Sequence, residues 1–234
     1  MFQSTNDEGR YAWEENADFW DAKMGDHSNT FHRKIVRPRT EELLAIQSGD
    51  FVLDIACGNG NFSQRMAENG ARVVAFDFSV RMIEHAKRRR AANLNEISFH
   101  VCDATQYEDI ILLRQAKPFN KAVANMAVMD ISDIEPLFRA VYDMLSEQGL
   151  FVFSSHHPCF IRPDDRYKTS CTHKGEAIVG QPVLQNYYHR SLQDILSMAF
   201  QTGFVLDGFY EETDDCSELP VIYIARLKKA ILSY

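Results

Sequence analysis

The sequence predicts an α/β fold built on a doubly wound, mostly parallel sheet of seven strands, in a single domain over residues 1–234. Two observations carry that prediction. Short apolar runs of strand character alternate with stretches whose apolar residues recur at helical spacing. The first of those runs leads straight into a glycine turn and a new helix, residues 52–63, VLDIACGNGNFS. That unit opens a ligand crevice at the carboxyl ends of parallel strands.

Residues 1–40 read as a helical segment or lid, dense in aromatic side chains: Tyr11, Trp13, Phe19, Trp20 and Phe31. Docking on the sheet is the plainer fate of Phe19 and Trp20. Phe51, Val52, Leu53 and Ile55 form the first strand. Gly58 and Gly60 then let the backbone turn tightly and let a ligand approach without meeting a Cβ, and a helix resumes near Asn61. Residues 72–76 form the second strand, which ends on Asp77. The helix from residue 79 to about residue 92 buries Val80, Ile83 and Ala86, and Lys87, Arg88, Arg89 and Arg90 make its solvated basic end. Residues 97–101 form the third strand, ending in Cys102, Asp103 and Ala104, and residues 119–125 the fourth. Ile134, Leu137, Phe138, Val141 and Leu145 give a helix face that Gly149 closes. Strand five, residues 150–155, runs into His156, His157 and Pro158. Leu192, Ile195, Leu196 and Ala199 mark a helix ending at Gly203, and residues 204–209 and 221–227 are the last two strands.

Asp54 narrows the chemistry of the glycine turn. A pyrophosphate seated there would be repelled by the carboxylate at short range, whereas a cationic ligand would be attracted. The dinucleotide fingerprint also asks for Gly or Ala where this chain has Ser63, and no Gly-Lys-Ser/Thr follows to make a P-loop. Asp77 stands where an acidic side chain accepts hydrogen bonds from both hydroxyls of a ribose. Asp103 stands where one could accept from an exocyclic adenine amine. The plainer readings are that Asp54 caps the turn, Asp77 caps the next helix, and Asp103 is a solvated strand end.

With these residues in hand, the chain resembles the class I S-adenosylmethionine (SAM)-dependent methyltransferases, in particular the small, cofactor-domain-only kind that methylates small molecules. The resemblance covers most of the chain. It implies a Rossmann-like sheet whose last strand, residues 221–227, is antiparallel, with SAM as cofactor and S-adenosylhomocysteine (SAH) as its product. By the same resemblance the turn, here Asp54, Ala56, Cys57, Gly58 and Gly60, binds the methionyl part. Asp77 takes the ribose, Phe78 and Met82 lie against the adenine, and Cys102, Asp103 and Ala104 read its edge. Residues 122–130, AVANMAVMD, match the stretch lining the sulfonium side, with Asn125, Met126 and Met129 as contacts. Met126 and Met129 would otherwise read as core filler. Arg37 matches arginines that reach the SAM carboxylate.

Methyl transfer from a sulfonium is an in-line displacement, so much of the work is positioning, and a base is needed only for an acceptor that must lose a proton. His156 and His157 are the candidate bases, and strand alternation turns one imidazole toward the crevice. A proline-bounded turn with satisfied histidines explains the same letters. His157, Pro158, Cys159 and Phe160 match a His-Pro-Cys-Phe-like segment of similar small-molecule methyltransferases, whose role there is not uniformly catalytic. Residues 1–40 and 158–190 are the candidate covers of the acceptor, with Tyr11, Trp13, Arg166, Tyr188 and His189 as substrate contacts. Arg162, Tyr167 and Tyr187 share the second segment's mixture of cations and phenols, suited to an anionic or aromatic acceptor. No metal site is expected, since Cys159, Cys171, His173 and the histidine pair lack ligand spacing.

The formal net charge of −8 argues against nucleic acid or an anionic membrane as partner. No run approaches the ~20 apolar residues of a membrane helix, and the acidic start lacks a signal peptide's features. Five cysteines without framework spacing suit a reducing compartment, the cytoplasm. A small-molecule substrate and a monomer or homodimer complete the expectation. Three rivals keep the fold. They are an NAD-dependent dehydrogenase, a SAM-binding regulatory protein without turnover, and a nucleic-acid methyltransferase, which lacks its Asn/Asp-Pro-Pro-aromatic motif here.

Overall fold

The computed structural model describes residues 4–159, 166–214 and 218–230. Phe160 and Arg162, named above, lie outside them. Seven strands form the main sheet: β1 (Phe51–Ile55), β2 (Arg72–Asp77), β3 (Ile97–Val101), β4 (Phe119–Ala124), β5 (Leu145–His156), β8 (Phe204–Glu212) and β9 (Ile222–Lys229). Their order is β3-β2-β1-β4-β5-β9-β8. The first five are mutually parallel, and β9 is antiparallel to both β5 and β8. The chain winds outward from β1 in one direction and from β4 in the other, so the crevice opens between these two.

Register puts the acidic ends on one rim. Asp54 pairs with Ala75 and Val123, and Ile55 with Phe76 and Ala124. Asp77 is level with Val101. The residues just past each strand therefore share one edge of the sheet. Alternation sends Leu53 and Ile55 to the face covered by α5 (Tyr107–Ile111), α6 (Glu135–Met144) and α7 (Leu192–Thr202), where Phe138, Phe151 and Phe153 fill the core. Val52, Val73 and Val123 pack on the other face against Leu44 of α2 (Arg37–Leu44), Phe62 of α3 (Asn61–Glu68) and Ile83 of α4 (Val80–Arg89). Helix α1 (Thr5–Met24) lies across α4 and the ribbon strand β7 (Gln185–His189), which pairs antiparallel with β6 (Cys171–Gly175). Among the described residues no helix is long and apolar enough to cross a membrane.

Four local expectations are corrected. The helix drawn through Leu145 to Gly149 stops at Met144, because Leu145 is extended and pairs with Phe119 as the first residue of β5. Val80 is 50% exposed, and the buried stripe of α4 is Met82, Ile83, His85 and Ala86. The basic end of α4 is not solvated throughout: Arg90 is 2% exposed and donates to the Asn59 carbonyl, while Arg89 pairs with Asp21 of α1. The segment expected only as a cover contains the β6–β7 ribbon. Its strands, CTHKG and QNYYH, carry no apolar alternation to announce them.

Candidate active site

The strand ends surround a cavity of about 230 Å³, walled by the turns after β1 to β4, by Trp13 and Trp20 of α1, and by His32 and Arg37. The last two flank a π-helical turn, His32–Val36, in which the Arg37 N–H bonds to the His32 carbonyl five residues back.

Left-handed backbone at Ala56, Gly58 and Gly60 reverses the chain after β1. A Cβ on Gly58 would lie 3.0 Å from the Trp20 ring, so the glycine lets α1 seat on the turn. Gly60 is set back from the cavity wall, and a Cβ there would meet the Phe99 ring at 2.9 Å. Met126, after β4, is also left-handed, an arrangement that costs about 1–2 kcal/mol for a side-chain-bearing residue. Its N–H is held by the Ser154 hydroxyl at 2.8 Å.

Asp54 is 1% exposed and accepts from the Ser63 hydroxyl, the residue that breaks the dinucleotide fingerprint. Burial, reinforced by the negative Asp77 nearby, outweighs that bond and pushes its pKa up to about 7. Asp77 accepts the N–H groups of Gly58 and Ser79, each at 3.0 Å. The helix cap of the plainer reading is not Asp77 but Ser79, whose hydroxyl accepts from the Met82 N–H at 3.1 Å. Burial still raises the pKa of Asp77 to about 6. Asp103 differs. Arg10 donates to it at 2.6 Å, Asn6 at 2.9 Å, and Thr105 through both its N–H and its hydroxyl. Burial opposes the charge, but these bonds prevail and hold Asp103 below the usual carboxylate range.

Of the remaining expected cofactor residues, Ala56, Cys57, Phe78, Met82, Cys102, Ala104, Asn125, Met126, Met129 and Arg37 all reach the cavity wall. Alternation along β5 separates the two candidate bases. His156 faces the cavity beside the Tyr187 ring, at 5.4 Å between centroids. His157 turns away, with Nε2 2.7 Å from Glu211. Burial holds His32 and His156 down to about 4, so both are neutral near pH 7.

The substrate set is mostly redistributed. Trp13 lines the cavity, but Tyr11 is exposed and Arg166 is off the wall. The Tyr188 hydroxyl donates to the Thr5 carbonyl, and His189 bonds the Tyr167 carbonyl. Tyr187 takes the place expected of Tyr188, because neighbours on a strand face opposite ways. Sequence reasoning also passed over Trp20, His32 and Asp130. Asp130 closes the 122–130 segment and accepts from Gln185 Nε2 at 2.9 Å. Its acidic character was visible, but the partner that places it lies on the unannounced ribbon.

The donor set suits a ligand with cationic groups, one anionic group and a polyol. Asp54, Asp77 and Asp130 make no ion pair among the described residues, and Arg37 is the sole Arg or Lys on the wall. Comparisons with known proteins agree with that chemistry. A family model described as a methyltransferase domain matches residues 46–195, more than half of the chain. The demethylmenaquinone methyltransferase of Beutenbergia cavernae is 26% identical over 168 residues, 69% of this chain and 65% of that protein. The chain spans from 14% to 65% of the length of the curated relatives it first matches. An S-adenosylmethionine-dependent methyltransferase from Mesorhizobium loti shares the fold with a TM-score of 0.63 at 23% identity, covering 82% of this chain and 96% of its own. The magnesium protoporphyrin IX methyltransferase of Synechocystis PCC 6803, solved with bound SAH, superposes over 97% of this chain and 100% of its own with a TM-score of 0.68 at 17% identity. With the glycine turn, the acidic strand ends and the 3-2-1-4-5-9-8 sheet all in place, the chain belongs to the methyltransferase domain family and has the fold of the class I S-adenosylmethionine-dependent methyltransferases.

Proposed function

We propose that the chain transfers a methyl group from SAM to an oxygen or nitrogen of a small-molecule acceptor. The observation that carries this reading is the pair Asp54 and Asp77, one strand apart at the same edge of the sheet, buried in one cavity wall with no ion pair to either among the described residues. Asp54 and the turn after β1 would hold the methionyl ammonium, Asp77 the ribose hydroxyls, Phe78 and Met82 the adenine faces, and Arg37 the carboxylate. The carboxylate of Asp103 already accepts four hydrogen bonds. We assign it to holding α1 closed, and leave the adenine edge to its neighbours Cys102 and Ala104. The bound cofactor supplies an electrophilic methyl on a positively charged sulfur.

The protein's part is placement and proton transfer. Trp13, His32, His156 and Tyr187 wall the acceptor half and limit water there. An unprotonated His156 can accept the proton that leaves the acceptor oxygen or nitrogen as the new bond to carbon forms. A small uncharged or weakly charged acceptor suits this wall better than nucleic acid, in line with the net charge of −8. Reduced cysteines favour the cytoplasm. A nicotinamide dinucleotide is the poorer fit, since its pyrophosphate would meet the unpaired carboxyl of Asp54.

Calorimetry tests the donor: SAM and SAH should both bind the wild type, and Asp77→Ala should weaken each by ~1–3 kcal/mol through loss of ribose hydrogen bonds. No binding of either ligand by the wild type would end the proposal. Labelled SAM incubated with a cell extract then tests the acceptor. Label should enter the low-molecular-weight fraction, whereas label in nucleic acid would refute the small-molecule reading, and tight binding without any transfer would favour a regulatory protein.

A further inference from the structure

The cavity carries one carboxyl more than the contacts assigned above use. Asp54, Asp77 and Asp130 all line it, and Arg37 is its sole Arg or Lys among the described residues. Asp130 sits at the end of a short 3-10 turn, Val128–Asp130, beyond β4. One of its oxygens accepts from Gln185 Nε2 at 2.9 Å, and among the described residues no hydrogen bond is made to the other.

The groups facing Asp130 offer it no countercharge. Asp77 approaches from the end of β2 and adds repulsion, and the phenol of Tyr187 approaches from β7. His156, next to Tyr187 at the end of β5, is neutral near pH 7. Arg190, just past β7, is largely buried, and its guanidinium is taken up by the carbonyls of Val128, Ile131 and Ser132, with Tyr223, Asp133 and Tyr188 rather than Asp130 as its electrostatic partners. Arg10 is engaged by Asp103.

Resting on the reading of this cavity as a SAM site, the ligand's charges can be matched to the wall one by one. The ammonium falls to Asp54, the carboxylate to Arg37 and the ribose to Asp77. The sulfonium remains, and so does Asp130, which shares the cavity wall with Met126, Met129, His156 and Tyr187, between the strand-end carboxyls and the ribbon. We propose that Asp130 is the counter-ion of the sulfonium, and that through it the site tells the charged methyl donor from its neutral demethylated product.

Without ligand, burial and the nearby Asp77 raise the pKa of this carboxyl against the Gln185 hydrogen bond, and so favour its neutral form. A positive sulfur beside it favours the anion, so SAM binding expels the proton. SAH has an uncharged thioether and leaves the proton in place. Once the methyl has gone, Asp130 takes a proton back, and the attraction that held the donor is absent from the product.

Titration calorimetry on the wild-type protein at pH 7, in two buffers of different ionisation enthalpy, reads this directly. SAM binding should release up to about one proton more than SAH binding. Asp130→Asn, which keeps the shape and the contact with Gln185, should lower the ratio of SAM to SAH affinity roughly ten-fold while leaving SAH affinity as it was. Equal proton counts for the two ligands on the wild type would overturn the assignment, and so would a variant that weakens both ligands alike. A wild type that binds neither ligand overturns the proposed function itself and this assignment with it, whereas binding of both without charge discrimination overturns the assignment alone.

Discussion

Asp54 and Asp103 occupy the same kind of position, at or just past the carboxyl end of a parallel strand, and both are almost fully buried. Yet one holds its proton to about pH 7 and the other gives it up more readily than a free aspartate. The difference is helix α1. It brings Arg10 and Asn6 to Asp103 and, among the described residues, brings nothing charged to Asp54, which there receives only the Ser63 hydroxyl. The rim under α1 is electrostatically complete in the protein alone, and the floor of the cavity is not. A region left incomplete in this way is where a ligand must supply the missing charge.

The rim is most easily broken at Asp21. Buried in α1, it takes two bonds from Arg89 and one from Asn59, and these hold it below the usual carboxylate range against the cost of burial. Asp21→Ala would leave the Arg89 guanidinium to Asp26 and the Asn59 amide to the Gly25 carbonyl, and losing hydrogen bonds to a buried charge costs about 1.5–3 kcal/mol. Urea unfolding should show that loss. A loss under half of it would mean that α1 is held chiefly by its apolar contacts.

The floor is best sharpened by pH. Unfolded, Asp54 titrates near 4, and folded, at about 7. The folded state therefore binds a proton that the unfolded state has lost across that window. The stability tied to this group is complete below the lower value and disappears as pH rises through the upper one. His32 and His156 act in the opposite sense: with folded values of about 4, they lower stability as pH falls below ~6.5. Their effect is common to the wild type and to Asp54→Asn and cancels in the difference. Thermal unfolding between pH 5 and pH 8 should show the wild type losing stability relative to the variant as pH rises. A difference that stays constant would place Asp54 in an ordinary environment.

The smallest expected effect is on the exposed side of the rim. Arg10 is nearly half exposed where it meets Asp103, so Arg10→Ala should cost under about 1 kcal/mol. It should raise the pKa of Asp103, visible by carbon NMR of the carboxyl, while the pKa of Asp54 stays where it is. Movement of both would show that rim and floor form one electrostatic unit.

The strands were legible because their residues are chosen by burial: FVLDI and RVVAFD read as buried parallel strands whatever surrounds them. The strand-end wall of the cavity was legible for a related reason, since its residues sit at fixed offsets from those strands. The wall supplied by the ribbon was not. Tyr187 and Gln185 stand on a ribbon of polar letters, and the choice between Tyr187 and Tyr188 is a matter of strand phase that no composition reveals. Arg90 misled for a different reason. It follows three other cations on the surface end of a helix, but its burial depends on Asn59, far away in sequence.

The π-helical turn at His32–Val36 makes chain length a variable in its own right. It holds an extra residue that an α-helix would not accommodate, and each residue advances a helix by ~100°. Wound as an ordinary α-helix, the same five-residue spacing would set Arg37 ~140° around the axis from His32, instead of about one turn along on the side they now share. The shape of the cavity wall at His32 and Arg37 is thus encoded partly by a count of residues rather than by their kinds.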